Sequence, residues 1–148
     1  MKLEHAIIKK MSEPNIIFHI QNEQDTICPL SFFTRIMLQY LERDFLLIID
    51  CPDLMTLSAI DTALWLFPRD RFIPRVLKKH QLKVGDFKVK DKLATFNVSF
   101  ECITPTPKSL LVECIPNMPS LKSLGRKKFK HYSKIAQPPK VSQEIQYG

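Results

Sequence analysis

Phe45-Leu46-Leu47-Ile48-Ile49 is an unbroken apolar run of strand length, followed at once by Asp50-Cys51-Pro52-Asp53. A run without polar alternation is expected of a strand buried on both faces, as in a parallel sheet. Upstream, Asn15-Ile16-Ile17-Phe18-His19-Ile20 is β-branched and aromatic and reads as the first secure strand. Between the two, from Pro29 to about Arg43, the period turns helical. Leu30, Phe33, Met37, Tyr40 and Leu41 share one stripe, Phe32 and Ile36 widen it, and Pro29 suits the first turn. Strand, helix, strand is a βαβ unit, so the fold class is α/β with a mostly parallel sheet. His19 is read as a strand-face or core histidine, because no second ligand lies near it in sequence.

The place after such a strand is where open α/β sheets bind ligands, yet a nucleotide is not expected. The whole chain holds only three glycines, Gly85, Gly125 and Gly148, so neither a GxGxxG nor a P-loop can bring backbone amides up to a phosphate. Asp50 and Asp53 could form an acid/base pair, but Asp53 is better placed to cap the next helix, Leu54 to Phe67. That helix carries Leu57, Ile60, Leu64 and Phe67 on one side, has Trp65 nearby, and ends at Pro68. Further strands are expected over Leu82 to Val89, over Ala94 to Cys102 with alternating Phe96, Val98, Phe100 and Cys102, and over Leu110 to Ile115.

The chain has 148 residues, 45% of them hydrophobic and 25% charged, which fits one domain with a proper core. A formal net charge of +7 suggests an acidic partner, such as nucleic acid, a phosphate group or an acidic peptide. Cys28, Cys51, Cys102 and Cys114 form no CxxC pair and have no histidine at ligand spacing, so neither a zinc site nor a disulfide framework is indicated. There is no apolar span of the roughly 18 residues that a membrane helix needs, nor the layout of a signal peptide. The chain therefore reads as cytoplasmic, with no membrane association and no cofactor.

Charge concentrates in Pro119-Ser120-Leu121-Lys122-Ser123-Leu124-Gly125-Arg126-Lys127-Lys128-Phe129-Lys130-His131-Tyr132, which contains no carboxylate. At about 100° per residue, Leu121, Leu124 and Tyr132 share an apolar stripe and Lys122, Arg126 and Lys130 a neighbouring cationic one, with Phe129 on the border. Asn117 can cap this helix and Pro119 falls in its first turn. Gly125, mid-helix, implies close approach of another backbone or of a ligand. A solvated basic face is the plain alternative, but such helices are usually laced with both signs, and this one is not. A row of cations beside an aromatic ring suits an anion that also carries something apolar. Residues 136–148 turn polar and are expected to form an extended tail after a domain spanning residues 1–135.

Two blocks carry a family resemblance. Ile60-Asp61-Thr62-Ala63-Leu64-Trp65, then Pro68, then Phe72-Ile73-Pro74, resembles a signature of the chi subunit of bacterial DNA polymerase III. Ile115-Pro116 followed by Ser120 to Tyr132 is similar to the same family's C-terminal helix. The resemblance implies a single three-layer α/β domain shaped like nucleotide-binding folds but without a phosphate-binding loop or an active site. It further implies a bridge within the polymerase holoenzyme. A psi subunit would tether this chain to the clamp loader. The chain itself, as a monomer or a heterodimer with psi, would bind the acidic C-terminal tail of single-stranded DNA-binding protein, whose last residue is phenylalanine, and so touch single-stranded DNA only indirectly. By motif position, the tail-binding residues are Lys122, Arg126, Phe129 and Lys130 with Ile115 beside them, and the psi-facing residues are Phe72 and Pro74. Three positions depart from the pattern: Phe129 replaces a common tyrosine, Arg75 replaces the histidine after FxP, and Thr104 to Ser109 is short. The competing class is direct binding of single-stranded nucleic acid, with Arg126 to Lys130, Lys78, Lys79 and Lys83 to Lys92 tracking phosphates.

Overall fold

The computed structural model describes residues 15–66, 74–89, 91–106, 109–135 and 139–143. In chain order they form β1 (Asn15–Ile20), α1 (Pro29–Glu42), β2 (Leu46–Asp50), α2 (Leu54–Leu66), β3 (Arg75–Lys78), β4 (Gln81–Val84), β5 (Leu93–Asn97), β6 (Ser109–Ile115), α3 (Pro119–Ile135) and β7 (Lys140–Gln143). The strands make one seven-stranded sheet in the order β3-β4-β2-β5-β6-β1-β7. From β2 to β7 all neighbours are parallel, while β4 runs antiparallel to β2 and β3. The mostly parallel α/β expectation holds.

The pleat sorts the strand residues into two cores. Leu47 and Ile49 of β2, Ala94 and Phe96 of β5 and Val112 of β6 face α1 and α2, where Phe32, Ile36, Met37, Leu57, Ile60 and Leu64 bury against them. Ile16 and Phe18 of β1 and Leu111 and Ile115 of β6 face the other way and are covered by Tyr132 and Phe129 of α3. Helices on both faces of one sheet give three layers. Because α3 sits over β6 and β1, the second face is thinly covered further out. Register aligns Val76, Lys83, Ile48, Thr95 and Leu111 in one transverse row, and Ile48 is only half-buried. The run that reads as buried on both faces is thus fully buried on one.

Several boundaries differ from the pattern-based expectation, each for a local reason. β4 stops at Val84 because Gly85 takes a φ of +129° and Asp86 then closes a turn, its carboxylate accepting from the Lys88 amide at 3.0 Å. β5 stops at Asn97, whose side chain accepts from the Ser99 amide at 3.1 Å and donates to the Glu101 carbonyl at 2.7 Å, folding 97–101 into a loop. The alternation continues past the strand, but Phe100 ends up exposed. β3 was not anticipated; it forms a hairpin with β4 through Lys79, at φ 54°, and His80. β7 lies within the segment expected to be an extended tail and pairs with β1.

The strand order creates a switch point of the kind at which α/β sheets open a crevice, and here side chains fill it. After β1 the chain crosses by α1 to β2, and after β6 it crosses by α3 to β7, so the connections diverge between these adjacent strands. The gap is filled by polar side chains bonding to one another. Asn117 donates its amide N–H to Gln21 Oε1 at 2.8 Å and its side-chain amide to the carbonyls of Asn22 and Asp25. Gln21 in turn donates to the Ile27 carbonyl at 3.1 Å. Asn117 is therefore a staple between two loops and not the helix cap expected of it.

Candidate functional site: the two flanks of the C-terminal helix

α3 begins where the Lys122 amide donates to the Met118 carbonyl at 2.9 Å, with Pro119 in its first turn. Its deepest residues are Gly125, Lys128 and Tyr132, a spacing that keeps one phase of the helix on the sheet. Gly125 is where Ile115 comes closest; a Cβ there would lie 2.7 Å from Ile115 Cδ1. What approaches Gly125 is thus a side chain of its own chain, in place of the backbone or ligand expected. Tyr132 is fully buried, its ring edge-on to Phe18 with centroids 6.1 Å apart.

Lys128 behaves unlike the other cations. Its Nζ donates to Glu113 Oε1 at 2.9 Å and to the Ser99 carbonyl at 2.7 Å. Glu113 Oε2 accepts from the Tyr132 hydroxyl and from Asn97 Nδ2, both at 2.7 Å. Burial pushes the Glu113 carboxyl above its ordinary value, while Lys128, Tyr132 and Asn97 pull against that shift. This network joins α3, β6 and the 97–101 loop, and the sequence reading missed it. The signal was present: Lys128 shares the helical phase of Leu121 and Tyr132, and Glu113 interrupts an otherwise apolar strand.

The remaining expected residues divide by flank. Arg126 and Lys130 are exposed, Lys122 and Phe129 half-buried. Phe129 rests edge-on to Phe18 at 5.4 Å, so this flank of α3 looks toward β1 and β7. Val141 of β7, 55% exposed, is in register with Phe18 and shares its face. Among the described residues, no carboxylate pairs with Lys122, Arg126 or Lys130. The opposite flank, with Leu121 and Leu124, borders a cleft of about 30 Å³ closed by Phe33, Val98 and Phe100. Ile115 reaches that cleft beneath Gly125, whereas Lys122, Arg126, Phe129 and Lys130 do not line it.

A second concentration of exposed groups lies at the end of α2. Trp65 is 53% exposed and Leu66 78%, and on edge strand β3 Leu77 is exposed as well. Arg75 lays its guanidinium 3.8 Å from the Trp65 ring centre and pairs with the Asp61 carboxylate, also donating to the Asp61 carbonyl at 3.2 Å. Asp61 and Trp65 belong to the first signature block, and Arg75, which stands where that pattern has a histidine, joins the two. Pro74 is exposed, its carbonyl accepting from Gly85 N at 3.0 Å. Phe72 lies outside the described residues.

The other candidates have structural roles. Asp53 caps α2, accepting from the Thr56 amide at 2.7 Å, and that bond holds its carboxyl below the usual range. Asp50 accepts from Gln81 Nε2 at 3.0 Å. Burial, reinforced by those two carboxylates, pushes the Cys51 thiol up to about 12, far from a reactive thiolate. His19 is buried, as expected, and bonds the Tyr40 hydroxyl at 2.6 Å. Among the described residues no group of three or more potential metal ligands comes together, and no helix is long and apolar enough to cross a membrane.

The fold is thus a three-layer α/β domain whose C-terminal helix carries a basic row without a carboxylate partner among the described residues. A family model described as the DNA polymerase III chi subunit, HolC, matches residues 14–139. The chain belongs to that family. Among curated proteins, no individual sequence matches it.

Proposed function

We propose that this chain is a non-catalytic bridge, working in the cytoplasm, that holds the acidic C-terminal tail of single-stranded DNA-binding protein on α3 and a psi subunit on the α2–β3 side. The observation that carries the first half is selective neutralisation: the buried cation, Lys128, has its carboxylate, and the outward Lys122, Arg126 and Lys130 have none among the described residues. Cations left unpaired at fixed helical spacing are ready for a partner's anions. Arg126, with its planar fork, suits the terminal carboxylate, with Lys122 one turn away adding to its charge; Lys130 suits the aspartates; and the terminal phenylalanine lies against Phe129. For psi, the exposed Leu66 and Leu77, with Trp65 stacked against Arg75, offer aliphatic and aromatic anchors, and Phe72 and Pro74 are the residues that the family resemblance assigns to that interface. In this reading contact with single-stranded DNA is indirect, made through the bound protein.

The test is a titration with a short acidic peptide ending in phenylalanine and with the same peptide lacking that residue. The full peptide binds and the truncated one binds at least about tenfold more weakly; Arg126→Ala costs roughly 1.5–3 kcal/mol, a factor of about 10 to 100. Equal binding by both peptides contradicts the reading. So does a steep salt dependence toward single-stranded DNA with no response to the peptide, which is the behaviour of a direct nucleic-acid binder.

A further inference from the structure

β7 is an edge strand: it pairs with β1 on one side and, among the described residues, with nothing on the other. An open edge exposes a row of backbone donors and acceptors on which an extended chain can pair. The opposite edge of the sheet, β3, is likewise unpaired among the described residues, so openness alone selects neither. Charge selects β7. α3, lying beside it, carries Lys122, Arg126, Lys127, Lys130 and Lys134 without a carboxylate, and β7 itself opens with Lys140. Val141, more than half exposed, sits on the face that α3 overhangs, one strand out from Phe18.

Resting on the peptide-binding reading above, we infer that the acidic peptide binds as an eighth strand on the free edge of β7, with Val141 as the apolar floor beneath its side chains. Direction follows from the fold. α3 starts after the carboxyl end of β6 and runs back along it, so Gly125 lies above Ile115 and Phe129 above Phe18. Because Ile115 and Ile20 are in register near the carboxyl ends of their strands, Arg126 stands at that end, and Lys130 and Lys134 stand progressively toward the other. A peptide whose last carboxylate meets Arg126 and whose acidic residues meet Lys130 and Lys134 therefore runs parallel to β7. Its main chain supplies affinity along the edge, and alternate side chains face Val141 or solvent.

The test separates this inference from the reading on which it rests. The acidic peptide ending in phenylalanine is made in two further forms, N-methylated at one or the other alternate set of residues, and all three are titrated into the intact protein. Strand pairing requires one methylated set to weaken binding about tenfold or more while the other binds nearly as well as the parent, because only alternate amides point at the edge. Val141→Asp weakens the parent peptide at least about tenfold and Val141→Leu retains it, with thermal melts showing both variants folded. If Arg126→Ala abolishes binding but neither methylated set is selectively weakened, the edge-strand inference is wrong and the peptide reading stands. If the parent peptide does not bind wild-type protein, both are wrong.

Discussion

Gly125 and Ile115 make one close contact whose energetics can be separated. Alanine at position 125 gains about 1 kcal/mol of helix propensity, but its Cβ would come 2.7 Å from Ile115 Cδ1 and 3.3 Å from Cγ1. Ile115 is nearly buried, so the overlap costs about 1–3 kcal/mol. Gly125→Ala should lower stability by about 1 kcal/mol in the parent, yet become neutral or stabilising when Ile115→Val removes Cδ1; denaturant melts of the four proteins check this, and a stabilising effect in both backgrounds contradicts it. His19 makes a second prediction. Burial, with the Arg43 charge adding to it, lowers its pKa from 6.5 to about 4. Below pH 6.5 the unfolded chain binds a proton that the folded chain refuses, so stability falls with pH across the window from 6.5 to about 4, by about 2 kcal/mol at pH 5 and about 3 in all. Asp25, held low chiefly by its hydrogen bond to Arg35, loses its contribution only below the ordinary carboxylate value, outside that window. Glu113, raised by burial, opposes the slope toward its lower end, so the His19 contribution is read as the difference from His19→Phe. Urea melts between pH 7 and pH 4.5 should show the slope, and His19→Phe should flatten it. His19 was legible as a core residue from its place in an apolar strand, whereas its partner Tyr40, twenty-one residues away, was not.

Within α3, the cation worth most to the fold is the one least available to a partner. Lys128→Met leaves Glu113 buried without its countercharge, at a cost of about 3–5 kcal/mol. Adding Glu113→Gln should recover most of that loss, because the amide still accepts from Tyr132 and no charge remains unpaired. Since burial already raises the Glu113 carboxyl, the Lys128→Met defect should shrink as pH falls and Glu113 takes up a proton, and grow as pH rises. Melts of both single mutants and the double mutant at two pH values measure it; a double mutant no more stable than Lys128→Met contradicts the account. Helical phase alone marked Lys122, Arg126 and Lys130 as a row and Tyr132 as core. It marked Lys128 as inward too, but an inward lysine needs a carboxylate, and Glu113 comes from another element, which period and spacing cannot pair with it. Strand ends failed similarly. Alternation carries on through Phe100, but the Asn97 side chain turns the backbone first.

For the molecule as a whole, the class of fold was readable because the continuous run of β2 and the helical stripe of α1 each permit few alternatives, and the glycine count ruled out a phosphate loop. β3 and β7 were not readable. Each is a four-residue edge strand, half-paired and polar or mixed in composition, and such strands take their conformation from the neighbour they join. Those two edges are also where the proposed partners lie, psi by β3 and the acidic tail by β7, with the full width of a seven-stranded sheet between them. A molecule built this way can hold both at once, whereas overlapping sites would force a choice. The direct measurement is the sedimentation of a mixture of this chain, a psi subunit and single-stranded DNA-binding protein. The account predicts a complex containing all three, with Arg126→Ala releasing only the DNA-binding protein and Phe72→Ala releasing only psi; displacement of one partner by the other, or loss of both from either substitution, would contradict it.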